Sequence, residues 1–191
     1  MRVSDLIKAG LSVIPLKEHK KALLPWKENQ TKAYTTDEWR NLAKSRSRHI
    51  LGVAVVTGTV SGNLECLDFD LKYDLTNGDL MPKFREALDL EDSDLADKIV
   101  QISTPSKGFH WVYRVPDHAI PGNHVLLARH PTSAEISAGE LGSKPLIETR
   151  GEGGYFATDP TEGYTSVHLD LTQLPELTPI EQDILYSVAK S

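Results

Sequence analysis

The chain has 191 residues, a formal net charge of −6, and 39% hydrophobic and 25% charged side chains. That suits one globular domain, or two small lobes sharing a core, and excludes a largely disordered or collagen-like chain. The single cysteine, Cys66, excludes an intrachain disulfide and a cysteine-cluster zinc site.

In chain order, Ser4 to Gly10 predicts a short helix with Ser4 as N-cap and Gly10 as its stop. Leu11 to Leu16 predicts a strand, followed by a lysine-rich turn over 17–21. Thr35-Thr36-Asp37-Glu38 is a capping box that opens a helix through about Lys44. Leu51 to Val56 and Asn63 to Asp70 predict two strands, with residues 57–62 as the turn of a hairpin-like pair. Residues 74–98 are acidic and helical in parts. Ile99 to Ser103 and Phe109 to Val115 predict a strand pair across Thr104–Gly108, and residues 116–145 carry no clear signal. Leu146 to Thr149 and Tyr155 to Thr158 are short strands around the glycine-rich 151–154, and Thr178-Pro179-Ile180-Glu181 caps a final helix. Mixed elements with hairpins predict an α/β (α+β) fold with a largely antiparallel sheet packed by helices. No internal repeat and no low-complexity linker interrupts the chain.

No apolar run approaches the roughly 18–20 residues that span a bilayer, so no membrane is expected. The first twenty residues are not expected to act as a secretory signal, which points to the cytoplasm. Charge is uneven. Residues 1–50 carry eleven basic against five acidic side chains, whereas residues 51–100 carry four against eleven. That contrast fits a polyanion-binding face set against a metal-binding centre, or plain solvated surface.

Three segments hold chemistry. In Leu67-Asp68-Phe69-Asp70-Leu71 the strand period turns Asp68 and Asp70 to one face, away from Leu67, Phe69 and Leu71. Two carboxylates ~6–7 Å apart repel unless cations sit between them, which suits Mg²⁺ or Mn²⁺ and their preference for oxygen ligands; a solvated acidic edge strand gives the same pattern. Ser103 to Tyr113 is a Ser-, Lys- and Gly-rich turn followed by His110 on a strand face shared with Val112. Such a turn offers hydroxyls, amides and an ammonium to phosphate oxygens, while a strand histidine is as readily part of a core. In the third, Glu148 and Arg150 share a strand face before Gly151-Glu152-Gly153-Gly154, which by itself reads as a tight hairpin turn with an ion pair.

The order of the three segments resembles the archaeo-eukaryotic primase superfamily, most closely its bifunctional primase–polymerase (prim-pol) branch of plasmids, phages and integrated elements. The lead-in Gly10 to Leu16, Lys21, Pro25-Trp26 and Thr57-Gly58…Ser61-Gly62 also resembles that branch, and the likeness covers roughly residues 5–165. The resemblance implies an N-terminal α/β lobe joined to an RRM-like catalytic lobe, with the active cleft between them. Residues 1–175 would form the catalytic domain, and 176–191 a capping helix or the start of a linker. It implies Asp68, Asp70 and Glu148 as ligands of two Mg²⁺ or Mn²⁺ ions, Glu148 standing where the family often has aspartate. It implies His110 as the contact to the incoming nucleotide's phosphates, with Ser106, Lys107 and Gly108 as its loop. Arg150 and Lys72 are placed to offset triphosphate charge. Lys20, Lys21, Lys27, Arg46 and Arg48 are placed to track template phosphates. The expected partners are single-stranded or primed DNA, dNTPs or NTPs, and a helicase module, fused or separate; no zinc is expected. The implied activity is template-dependent DNA priming and polymerisation for a mobile element. A metal-dependent nuclease or nicking replication initiator is the rival enzyme, disfavoured because no His-x-His occurs. A nucleotide- or nucleic-acid-binding module without activity is the third reading, disfavoured because clustered like charges gain a pure binder little.

Overall fold

The computed structural model describes residues 1–76, 78–139 and 143–191. In chain order its elements are α1 (Val3–Lys8), β1 (Ser12–Leu16), α2 (Thr36–Arg46), β2 (Gly52–Val56), β3 (Leu64–Phe69), α3 (Leu80–Glu91) and α4 (Leu95–Lys98). There follow β4 (Val100–Ser103), β5 (Phe109–Arg114), β6 (Val125–Arg129), α5 (Ser133–Ser137), β7 (Lys144–Arg150), β8 (Tyr155–Thr158), β9 (Thr165–His168) and α6 (Pro179–Lys190).

The strands make two antiparallel sheets, of order β1-β2-β8 and β6-β7-β3-β5-β4-β9. The α/β class with antiparallel sheets is as expected. The larger sheet is the middle layer, and the side-chain period of its strands decides what each face meets. Leu67, Phe69, Trp111, Tyr113 and Ile147 pack with α3, α4 and α6. Phe69, Phe84 and Trp111 touch ring to ring at 4.9–5.5 Å, an arrangement worth about 0.5–1.5 kcal/mol per pair beyond its burial. Leu64, Cys66, Val100, Ile102 and Val112 pack instead with the small sheet, α1 and α2. β1 and β2 are buried at every position, which explains their unbroken apolar runs.

Local signals set most element ends. The capping boxes at Thr35/Glu38 and Thr178/Glu181 form, each threonine hydroxyl accepting from the glutamate amide at 3.2 Å. A third, Thr132/Glu135, starts α5 inside the stretch that carried no clear signal. The expectation of Ser4 as N-cap is corrected. Arg2 holds that position without a side-chain cap, and its guanidinium pairs with Asp5 at 3.0 Å across the first turn.

Two turns differ from the hairpins expected. Residues 57–62 carry the chain from β2 in the small sheet to β3 in the large one, and residues 151–154 carry it back from β7 to β8. Each crossing is stabilised by the other. Thr57 Oγ1 donates to the Gly151 carbonyl (2.5 Å), and the Glu152 carboxylate accepts from the Thr59 amide (2.8 Å) and hydroxyl (3.0 Å). Gly58 takes φ +91° here, where a β-carbon would strike the Glu152 carboxylate. By contrast, the β4–β5 pair is the hairpin the sequence predicts, Ser103 opposite Phe109.

The helical face also holds a buried acid. Glu65 is fully buried and accepts from Tyr113 Oη (2.8 Å), Gln182 Nε2 (2.7 Å) and Tyr186 Oη. With Leu185, Val188 and Ala189 in the same core, α6 is part of the packed domain.

Candidate active site

Register brings the acidic and histidine motifs together. On β3, Asp68 stands opposite His110 of β5 on one side and opposite Glu148 of β7 on the other, so three separate segments converge on one row of the sheet. Asp70 lies just past the end of β3, its amide bonded to the Leu146 carbonyl at 2.8 Å. Gly108 leads into β5 beside that end, and a β-carbon there would collide with the Phe69 carbonyl. Any side chain at 108 would therefore push the β4–β5 loop off the Asp70 end of the strand.

Cations of the same chain already sit among these carboxylates. Arg150 Nη2 bonds Asp68 Oδ2 at 3.0 Å and Glu148 Oε1 at 2.5 Å, while Lys72 Nζ pairs with Asp70 Oδ2 at 2.9 Å. The repulsion read from Asp68 and Asp70 alone is relieved internally. Burial raises the pKa of Glu148, with the Asp68 and Asp70 charges adding to the rise and Arg150 opposing it. Burial opposes the charge of Arg150, but Asp68 and Glu148 outweigh it and its pKa rises. Among the described residues no group of three or more His, Cys, Asp and Glu side chains is gathered closely enough to hold a metal ion, and the Arg150 guanidinium bonds both Asp68 and Glu148. The donor set itself, three carboxylates and no thiolate, suits hard cations such as Mg²⁺ or Mn²⁺. Cys66 is fully buried, and burial pushes its thiol well above the usual range.

His110 is almost enclosed. Its Nε2 is 3.5 Å from Asp68 Oδ1, and its ring packs on Phe156 and Tyr164 at 5.4 and 5.6 Å. Among the described residues its buried Nδ1 has no hydrogen-bond partner. Burial lowers the pKa of His110, Arg150 and Lys20 lower it further, and Asp68 opposes them.

Asp68, Asp70, His110, Lys72 and Arg150 line a cleft of about 420 Å³ between the two sheets. Ser106 and Thr104 of the β4–β5 loop also line it, whereas Lys107 is exposed outside it and Glu148 reaches it only through Arg150. Of the basic N-terminal residues, Lys20 lines the cleft, and Lys21, Lys27, Arg46 and Arg48 are exposed elsewhere on the surface. Residue-by-residue reading missed the aromatic wall, Trp26, Tyr155 and Tyr164, and the amide of Asn123, which accepts from the Gly151 amide at 3.0 Å. It also missed the ring of Tyr73, which has Lys72, Arg129 and Lys144 within 4.6–5.7 Å of its centre. These residues are scattered along the chain, so no local spacing marks them.

No helix among the described residues is long and apolar enough to cross a membrane. A comparison with curated proteins found no match to the chain. The family model for the bifunctional DNA primase/polymerase N-terminal domain matches residues 4–177, a span holding both sheets and every residue of the cleft. The mixed α/β architecture with antiparallel sheets agrees with that match, and the chain belongs to this primase/polymerase family of nucleotidyltransferases.

Proposed function

We propose that the protein is a template-dependent nucleotidyltransferase that both starts and extends strands on single-stranded or primed DNA in the replication of a mobile element. The observation that carries this reading is the register that sets Asp68 between His110 and Glu148 at a cleft between the two sheets. In the reaction a 3′-hydroxyl oxygen forms a bond to the α-phosphorus, the bond to pyrophosphate breaks, and the hydroxyl proton leaves. Asp68, Asp70 and Glu148 would hold Mg²⁺ or Mn²⁺, which when bound supply Lewis acidity at the hydroxyl and neutralise the leaving pyrophosphate.

The chain's own groups do the rest. Arg150 and Lys72 pair with the carboxylates in the free protein and would turn toward the phosphates of an incoming nucleotide. His110 presents Nε2 beside Asp68 for a phosphate oxygen, and Ser106 lines the same cleft. Lys21, Lys27, Arg46 and Arg48 contact template phosphates, a role that fits their exposure.

The test is labelled-nucleotide incorporation on primed and unprimed single-stranded templates, with Mg²⁺ and Mn²⁺ supplied separately. The parent is expected to incorporate nucleotide. Asp68→Ala and Asp70→Ala are expected to fall to background while unfolding in urea as the parent does, within about 1 kcal/mol. Unchanged incorporation in either variant overturns the assignment of that carboxylate, and no incorporation by the parent overturns the activity.

A further inference from the structure

Three cations line the cleft, and two of them are committed. Arg150 is bonded to Asp68 and Glu148, and Lys72 to Asp70. Among the described residues Lys20 has no carboxylate partner. An unneutralised ammonium facing a cleft is a binding element for an anion.

Its position is built rather than incidental. His19 and Lys20 both take positive φ, +58° and +59°, in the turn after β1, a conformation that non-glycine residues adopt at some cost. Two tyrosines hold the turn there. Tyr155 Oη donates to the Lys20 carbonyl at 3.3 Å, and the Lys20 ammonium lies 5.2 Å from the centre of the Tyr164 ring. That ring is itself 95% buried and packs on the His110 ring. Just before it, Gly163 lies so close to Pro105 that a β-carbon would meet the proline ring. Tyr164 thus meets both Lys20 and His110, and its neighbour Gly163 abuts the loop carrying Thr104 and Ser106; Lys20, His110, Tyr164, Thr104 and Ser106 all line the cleft.

We propose that Lys20 contacts the phosphate chain of the incoming nucleoside triphosphate together with His110, and that Tyr164 is the positioning residue that sets the two in place. The proposal rests on the nucleotidyltransferase reading and moves Lys20 from the template-tracking surface to the nucleotide. Its chemistry is simple. The imidazole supplies one directional hydrogen bond at Nε2, and an ammonium not paired with a carboxylate adds charge for the anionic phosphates. A ring beneath that ammonium holds it without neutralising it.

The experiment measures binding apart from turnover, by calorimetric titration of a non-hydrolysable nucleoside triphosphate with Mg²⁺, and in parallel of a labelled single-stranded oligonucleotide at several salt concentrations. Lys20→Met is expected to weaken nucleotide binding about ten- to a hundredfold, as loss of a charge-assisted contact does, and to leave oligonucleotide affinity and its salt slope unchanged. Tyr164→Phe, which keeps the ring, should bind nucleotide as the parent does, and Tyr164→Leu should lose affinity to a similar degree. In incorporation assays Lys20→Met should raise KM more than it lowers kcat. If Tyr164→Leu does not fold, Lys20→Met decides alone. Parent-like nucleotide binding by Lys20→Met overturns the proposal; if the oligonucleotide salt slope also falls by about 0.7, one phosphate contact, Lys20 tracks template instead. A parent that binds nucleotide but incorporates none would sink the polymerase activity and leave this inference standing, whereas a parent that binds no nucleotide overturns both.

Discussion

Glu65 and Asp68 lie three residues apart on β3, face opposite layers, and are stabilised in different ways. Glu65 faces α6, is fully buried, and among the described residues is met by neutral donors, two phenols and an amide. Asp68 faces the cleft, is partly exposed, and is met by a guanidinium that it shares with Glu148. A buried acid closed in by fixed dipoles is committed to the fold, because nothing can replace those donors without taking the helix apart. A carboxylate neutralised by a cation at the mouth of a cleft is exchangeable, because another cation can take the same place. One strand thus carries a structural acid and a working acid, and the neighbours decide which is which.

The widest break in that comparison should come from the structural side. Glu65→Ala strands two buried donors and a half-buried one at once, and at roughly 1–3 kcal/mol for each buried donor it should cost about 3 kcal/mol or more in urea unfolding. Glu65→Gln should cost less, since phenol hydroxyls can turn to accept from the new amide. Equal costs for the two would mean that volume, and not hydrogen bonding, holds α6.

On the working side, Arg150→Met leaves Asp68 and Glu148 facing each other without their guanidinium. The variant should lose about 1–2 kcal/mol in chelator. It should recover the loss with Mn²⁺, by about 1.4 kcal/mol for each tenfold excess over Kd. The parent should gain less from Mn²⁺, because the ion must displace Arg150. Unfolding curves with and without the ion check this, and a variant indifferent to Mn²⁺ would break the claim that these carboxylates are exchangeable.

The smallest effect sharpens the Glu65 side. Burial, reinforced by the Glu65 charge, raises the phenol pKa of Tyr113 and Tyr186. A phenol raised in the folded state contributes stability that is whole below the unfolded value of about 10 and is lost as pH rises above it. Tyr186→Phe should cost about 1 kcal/mol at pH 8 and should then lose less than the parent between pH 8 and 10.5. Parallel losses in parent and variant would show that Tyr186 does not carry the alkaline limb.

Much of this was legible in the sequence, for local reasons. Capping boxes are four-residue devices, so the starts of α2 and α6 follow from Thr35/Glu38 and Thr178/Glu181, and the same rule would have found α5 at Thr132/Glu135. Alternation along β3 and β5 correctly put Asp68 and His110 on faces away from Phe69 and Trp111. The turns at 57–62 and 151–154 were misread because a glycine-bearing turn between two apolar runs looks the same whether the runs pair or part. What parts them here is the clasp of Thr57 and Thr59 with Gly151 and Glu152, more than ninety residues apart in sequence.

The sequence by itself determined an antiparallel α/β protein, the faces on which its acidic and histidine motifs lie, and their resemblance to the primase/polymerase family, because side-chain period and motif order need only neighbouring residues. Tertiary structure alone decided that Asp68 lies between His110 and Glu148, that Arg150 neutralises two of the acids, and that Tyr164 joins Lys20 to His110. Those relations depend on strand register and on contacts between segments tens of residues apart, where pairing and close packing, and no local pattern, choose the partner.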